Sequence, residues 1–328
     1  MEDYTNTVFA HLDYRCVASW NTSCSSDFQL FHLNHSNLIV FFFFSVVSVL
    51  TVGGNMVVIV SITISKQLRT ATNFVILSLA MSDFLVGALM MPLQCIMLVD
   101  GCLYHTKHLC PVCHFISTII GTVSLYNVIL IAIDRYFALC HPFRYVAKMS
   151  VRVVLKCVGF GWILSFFYNL SMMYTGNSEQ GERKVICIQA CAIPVNNTWG
   201  FIDFIFSFIV PCLLIIILYV KVLTVALRHA KVISDSAKPG LGPGLNRRKW
   251  KSEIKATKTL GTVVFVYLVC WIPLYTFLVN IENVSDSNVI LNYLMCLFYS
   301  NAFINPIIYA ISSPWFKNSL KFCALCGK

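Results

Sequence analysis

Seven long apolar runs constrain this chain more than any other feature. They cover 38–64, 73–99, 109–136, 153–175, 199–227, 257–281 and 289–311. Each reaches the roughly 20 residues that an α-helix needs to cross about 30 Å of hydrocarbon. Only 12% of the 328 residues are charged, against about 25% in a soluble domain. The expected fold is therefore an all-α membrane protein: a bundle of seven transmembrane helices over 38–311, behind a polar N-terminal segment at 1–37.

The charges between the runs set an orientation. The connections at 65–72, 135–156 and 221–258, with the tail after 312, hold 20 of the 24 Lys and Arg residues. The alternate segments hold the other 4, with 9 acids. Basic loops stay in the cytoplasm, so the N-terminus is expected outside. The net charge of +10 then belongs to a cytoplasmic face suited to anionic lipid and an acidic partner, not to nucleic acid. The glycosylation sequons at Asn21, Asn34, Asn196 and Asn283 fall on the expected outer side. A fifth, at Asn169, lies inside the fourth run and is expected to go unused. The first 37 residues show no cleavable signal peptide, which leaves the first run to direct insertion.

Of fifteen cysteines, Cys16, Cys24, Cys102, Cys110, Cys187 and Cys191 lie on or near the oxidising side, where disulfides form. Cys323 and Cys326, beside Lys321 and Lys328, suit palmitoylation or stand as plain surface thiols. Residues 228–256, with Pro, Gly and basic residues between 235 and 250, read as a flexible cytoplasmic connection. From Pro314 onward, within 312–328, aromatic residues alternate with lysines as on a short amphipathic eighth helix in the membrane interface. Pro92, Pro211, Pro273 and Pro306 should each free a carbonyl and bend a span.

Motifs accumulate in register with these runs. They are Gly54-Asn55 in the first, LSLAMSDFLVG around Asp83 in the second, and Asp134-Arg135-Tyr136 closing the third. Trp162 follows in the fourth, Pro211 and Tyr219 in the fifth, Cys270-Trp271-Ile-Pro273 in the sixth, and Asn305-Pro306-Ile-Ile-Tyr309 at the end of the seventh. Together they resemble the rhodopsin-like, or class A, G-protein-coupled receptors over nearly the whole chain. The span-two motif, the Cys187/Cys191 pair and the stretch from Asn305 to Phe316 resemble the trace amine-associated receptors, and fish olfactory members in particular.

That resemblance implies a plasma-membrane receptor, not an enzyme. Its expected partners are a small amine, membrane lipid and a heterotrimeric G protein of the stimulatory or olfactory type, and it takes no cofactor beyond a possible allosteric Na⁺. It implies a sodium pocket of Asp83, Ser124, Asn301 and Asn305, with a water-filled polar cluster as the alternative. It implies an activation switch of Asp134, Arg135, Tyr136, Tyr219, Pro306 and Tyr309, in which Arg135 pairs with Asp134 or with Glu253. It implies disulfides Cys110–Cys191 and Cys24–Cys187, with Cys16 as the other candidate for Cys187.

The resemblance also exposes a departure. Amine receptors carry an aspartate seven residues after the span-three cysteine, and here that position is Ser117. One acid remains in an outer half-span: Asp203, in WGFIDFIFSFIVPCLLIIILYV. An intramembrane carboxylate is costly unless it is paired and usually faces the interior. Some fish trace amine receptors bind the ammonium with an acid at this place. The alternative is that Asp203 sits at the span end and points into outer water. By resemblance the ligand pocket comprises Asp203, Ser117, Thr118, Ser207, Trp271, Leu274, Tyr275 and Tyr299. Two other readings remain: a receptor for a non-amine ligand, and an ion-coupled transporter, although internal repeats and broken helices are not visible.

Overall fold

The computed structural model describes residues 35–99, 109–177, 183–188, 191–235, 245–279 and 287–312. Seven described helices are long and apolar enough to span a membrane: Asn37–Ile64, Ala71–Ile96, Pro111–Cys140, Val151–Tyr174, Gly200–Arg228, Ile254–Leu278 and Val289–Ile311. They are called spans one to seven below. Asn21, Asn34, Asn283, Cys24, Cys323, Cys326 and the expected eighth helix lie outside the described residues, as do the side chains of Cys110, Cys187, Cys191, Asn196 and Glu253.

Lipid is as apolar as a protein core, so burial in this bundle sorts residues by polarity less than by size and fit. Phe42, Val49, Phe206 and Phe265 point outward. Thr51, Asn55, Ser78, Asp83, Asn127, Asn301 and Asn305 are buried between helices. The central core joins Val58 and Ile62 of span one, Leu79 of span two, Val128 and Ile131 of span three, Ile215 of span five, Val263 and Tyr267 of span six, and Tyr309 of span seven. Trp162 Nε1 donates to Ser78 Oγ at 3.1 Å and ties span four to span two.

The prolines explain the irregular turns. A proline offers no N–H to the carbonyl four residues earlier, and its ring crowds that carbonyl. Span two answers with a π-helical turn at Val86–Met90 and span five with one at Phe204–Ile209. Each turn ends two residues before its proline, Pro92 or Pro211. Ser48 Oγ donates to the Gly87 carbonyl inside the first of these turns at 2.7 Å. Pro273 and Pro306 lie inside continuous α-helix.

Pro306 also accounts for the Gly54-Asn55 motif. The carbonyl it deprives of an N–H is that of Ala302, and Asn55 Nδ2 donates to this carbonyl at 3.0 Å. Gly54 faces the proline itself: a Cβ at 54 would lie 2.9 Å from Pro306 Cβ. We expect Gly54→Ala to push spans one and seven apart and cost about 1–3 kcal/mol, read as a lower melting temperature of the detergent-solubilised protein. An unchanged melting temperature would show that this contact does not hold the two spans.

One connection differs from the sequence reading, and a second adds to it. The 228–256 connection is helical at both ends, because the fifth helix continues to Asp235 and the sixth begins at Leu245. Lys and Arg are good helix formers, and the helix-breaking Pro and Gly residues are confined to 239–244. The 176–198 connection, one of the segments on the expected outer side, contains an antiparallel hairpin of β1, Arg183–Ile188, and β2, Cys191–Asn196. Cys187 pairs with Ala192 and Ile188 with Cys191. Helix Asn197–Asp203 follows β2 directly, so the hairpin leads into the turn that ends at Asp203.

Candidate functional site

The hairpin end of the bundle opens into a cavity of about 210 Å³. All eight residues expected to form a pocket line it: Asp203, Ser117, Thr118, Ser207, Trp271, Leu274, Tyr275 and Tyr299. Among the described residues, Asp203 is the one acid that lines it. It closes the helical segment just before the span-five π-turn, with Ser207 four residues on. Ser207 Oγ donates to Asp203 Oδ1 at 2.7 Å, and the Tyr168 hydroxyl of span four donates to the same oxygen. Tyr168 also contacts Ser207 Oγ at 2.8 Å. No Lys or Arg pairs with Asp203 among the described residues, where the salt bridge found is Arg135–Asp134. His114, one turn after Cys110, lines the cavity within electrostatic reach of Asp203.

Aromatic rings form the floor and one wall. Phe204 and Phe208 of span five stack at 5.4 Å, Phe208 on Tyr275 at 4.8 Å, Tyr275 on Trp271 at 5.5 Å and Trp271 on Tyr267 at 4.8 Å. Phe298 leans on Trp271 at 4.8 Å. Gly121 packs beside the indole, where a Cβ would make ordinary van der Waals contact at 3.5 Å. The column therefore runs from beside Asp203 down span six.

Beneath Trp271 is a second chamber of about 20 Å³, lined by Asp83, Ser124 and Asn301. Asn305 Nδ2 donates to Asp83 Oδ2 at 2.8 Å. Ser124 Oγ, Asn301 Oδ1 and Asn305 Oδ1 are buried without hydrogen-bond partners. A buried carboxylate among unsatisfied hard oxygens, in a space near the size of one water, fits a small alkali cation. No cluster of three His, Cys, Asp or Glu side chains suited to a transition metal occurs among the described residues.

At the opposite, basic end, Arg135 is held by its neighbour. Its Nη2 lies 2.5 Å from Asp134 Oδ2, and both side chains are buried. Arg135 Nε donates to Asp134 Oδ2 at 3.0 Å, and Nη2 to Thr72 Oγ1 at 2.7 Å. Tyr145, on the short helix Pro142–Lys148, donates to Asp134 Oδ1 at 2.8 Å. Burial and the adjacent Asp134 charge push the Tyr145 hydroxyl up to about 12, so it keeps its proton and donates at any physiological pH. Tyr136 turns away toward His141, at 3.4 Å. The buried Tyr219 and Tyr309 hydroxyls have no partner, so neither is joined to Arg135.

This constellation matches the 7 transmembrane receptor (rhodopsin family) pattern over residues 54–309. The chain is 32% identical over 311 residues to trace amine-associated receptor 13c of Danio rerio, covering 93% of this chain and 90% of that one. It is 34% identical to trace amine-associated receptor 7f of Mus musculus over 292 residues, 87% of this chain and 81% of that protein. It is also 34% identical to trace amine-associated receptor 5 of Rattus norvegicus, over 83% of this chain and 80% of the other. The chain belongs to the trace amine-associated receptors. It is thus a multi-pass membrane receptor of the rhodopsin family, not an enzyme.

Sequence reasoning missed five of this receptor's site residues. Tyr168 donates to Asp203, and His114 and Gln94 line the cavity. Thr72 and Tyr145 complete the Arg135 network. The rule that singled out Asp203, a polar group inside an apolar run, would also have flagged Gln94 and His114. Asn169, the sequon asparagine of the fourth run, lies inside span four. It is buried and donates to Thr122 Oγ1 at 3.1 Å.

Proposed function

We propose that this receptor senses a small organic amine on its outer, hairpin side. It signals through a heterotrimeric G protein of the stimulatory class at the basic, cytoplasmic side, raising cAMP. The carrying observation is Asp203: a carboxylate lining the cavity, bonded by neutral hydroxyls on Oδ1 and by no cation among the described residues. An ammonium group supplies the missing charge. The names of the relatives, trace amine-associated receptors, support the same ligand class. The cavity, about 210 Å³, is smaller than the roughly 300–1,000 Å³ of drug-sized sites and suits a small ligand.

Binding at Asp203 places the ligand beside Phe204, Phe208 and Tyr275, and through them against Trp271. A ligand that fits better when span six has moved shifts the population toward that state. Arg135 then leaves Asp134 and becomes available to the G protein together with Tyr219 and Tyr309. The test pairs each amine with an uncharged isostere, the ammonium replaced by hydroxyl or methyl, in cells carrying a cAMP reporter. Amines should activate at concentrations at least about a hundredfold lower, about 2.8 kcal/mol at 1.4 kcal/mol per decade. Equal potency of the neutral partners would overturn the amine reading.

We propose further that Na⁺ occupies the Asp83 chamber in the resting receptor, held by Asp83, Ser124, Asn301 and Asn305. A cation that binds the folded state stabilises it by about 1.4 kcal/mol at ten times its dissociation constant. Replacing choline with Na⁺ should therefore raise the melting temperature of the purified receptor, and Asp83→Asn should remove the rise. A rise of equal size in both proteins, or none in the wild type, would leave the chamber to water.

A further inference from the structure

Among the polar residues that line the cavity two groups stand out, and the second is uncharged. Asp203, Tyr168 and Ser207 occupy the side formed by spans four and five. Gln94, Ser117 and Tyr299 occupy the side formed by spans two, three and seven. Gln94 Nε2 donates to the Tyr299 hydroxyl at 3.4 Å, and Ser117 lines the same cavity. Gln94 and Tyr299 are buried, and the Tyr299 ring is wedged edge-on between Phe44 at 5.7 Å and Phe298 at 5.2 Å. The cluster is thus a fixed set of amide and hydroxyl groups. Between the two sides the floor is apolar and aromatic: Trp271, Phe298 and Gly121.

We infer that the Gln94–Ser117–Tyr299 cluster is a hydrogen-bonding subsite for an uncharged group. The ligand class is then a monoamine carrying a hydroxyl or another neutral polar group at the end away from the nitrogen, and the receptor discriminates against α,ω-diamines. This rests on the amine reading of Asp203. A second ammonium would arrive as three donors and a full charge at a place that offers only dipoles. An ammonium held away from water without a counter-charge is strongly disfavoured. A hydroxyl both donates and accepts, as the cluster requires. Among the described residues, Asp83 in the chamber beneath Trp271 cannot serve. Its chamber of about 20 Å³ has room for about one water, not for the end of an alkyl ammonium.

The test uses chain-matched triads of four to eight carbons: the alkylamine, the ω-amino alcohol and the α,ω-diamine. Concentration–response curves are recorded on wild type, the double variant Tyr299→Phe with Gln94→Leu, and Ser117→Asp, with surface expression measured for each. On wild type the amino alcohol should be at least about tenfold more potent than the alkylamine, because a site built to bond a hydroxyl rejects the analogue that lacks it. The diamine should be the weakest. The double variant should bring amino alcohol and alkylamine level, and Ser117→Asp should raise diamine potency above that of the alkylamine. If wild type responds to the diamine as well as to the amino alcohol, the subsite inference falls while the amine reading stands. If the matched diols activate and no amine does, or nothing acts up to millimolar concentration, the amine reading falls as well. The wild-type triad ranking decides the inference even where a variant fails to reach the surface.

Discussion

Asp203→Asn should raise the half-maximal concentration of an amine agonist by about a hundredfold or more while leaving surface expression intact. Asparagine has the same shape, and its amide oxygen can still accept from Tyr168 and Ser207, which both donate to Asp203 Oδ1. The change therefore removes the charge and little else. Truncating one partner of a desolvated ion pair costs about 3–5 kcal/mol, and each 1.4 kcal/mol is about tenfold in affinity. Asp203→Ala should be worse, since it also leaves the Tyr168 and Ser207 hydroxyls without their acceptor. Unchanged potency in the asparagine variant would mean that the ammonium binds elsewhere, and Asp203 would revert to a structural acceptor for Tyr168.

The second large effect should appear without any ligand. Asp134→Asn should raise basal signalling severalfold at equal surface expression. Arg135 is held in the resting arrangement by a buried pair at 2.5 Å, supported by Thr72 and Tyr145. Neutralising Asp134 removes the ionic part of that hold from the resting state alone. While the active state is a minor population, losing about 1.4 kcal/mol of preference multiplies it about tenfold. Tyr145→Phe should act in the same direction and more weakly, because it deletes one hydrogen bond to Asp134 and leaves the Arg135–Asp134 ion pair in place. A silent Asp134→Asn receptor at normal expression would show that another contact holds the resting state.

The sequence carried the bundle because membrane thickness dictates run length, and the seven runs needed only counting. It carried Asp203 because an acid in a hydrocarbon run stands out against its neighbours. It did not carry Tyr168, whose hydroxyl lies 35 positions before the carboxylate it binds. The stretch around it, Phe166-Phe167-Tyr168, reads as lipid-facing bulk. In a soluble helix an apolar stripe would have marked the inner face, but here both faces are apolar and the periodicity that reveals facing is weak. Thr72 and Tyr145 escaped for a different reason. They lie in or beside polar connections where a threonine or tyrosine is unremarkable, and only their approach to Asp134 gives them a role. The Asn55–Ala302 bond sits between these cases. Proline chemistry predicted a stranded carbonyl, but not which helix would reach it.

The π-turn at Phe204–Ile209 has a consequence for comparing this receptor with its relatives. A π-turn accommodates one more residue than an α-turn, and one residue amounts to about 100° of rotation around a helix. Counting back from Pro211 on an ideal wheel therefore assigns Asp203 the wrong azimuth. A gap-free alignment with any span five that lacks the turn would match Asp203 to a position about 100° away around the helix. Deleting one residue other than Ser207 from Phe204–Ile209 should likewise swing the carboxylate out of the cavity while every lining residue is kept in the sequence. The spacing between Asp203 and Pro211 is thus as much a determinant of the binding site as the acid itself.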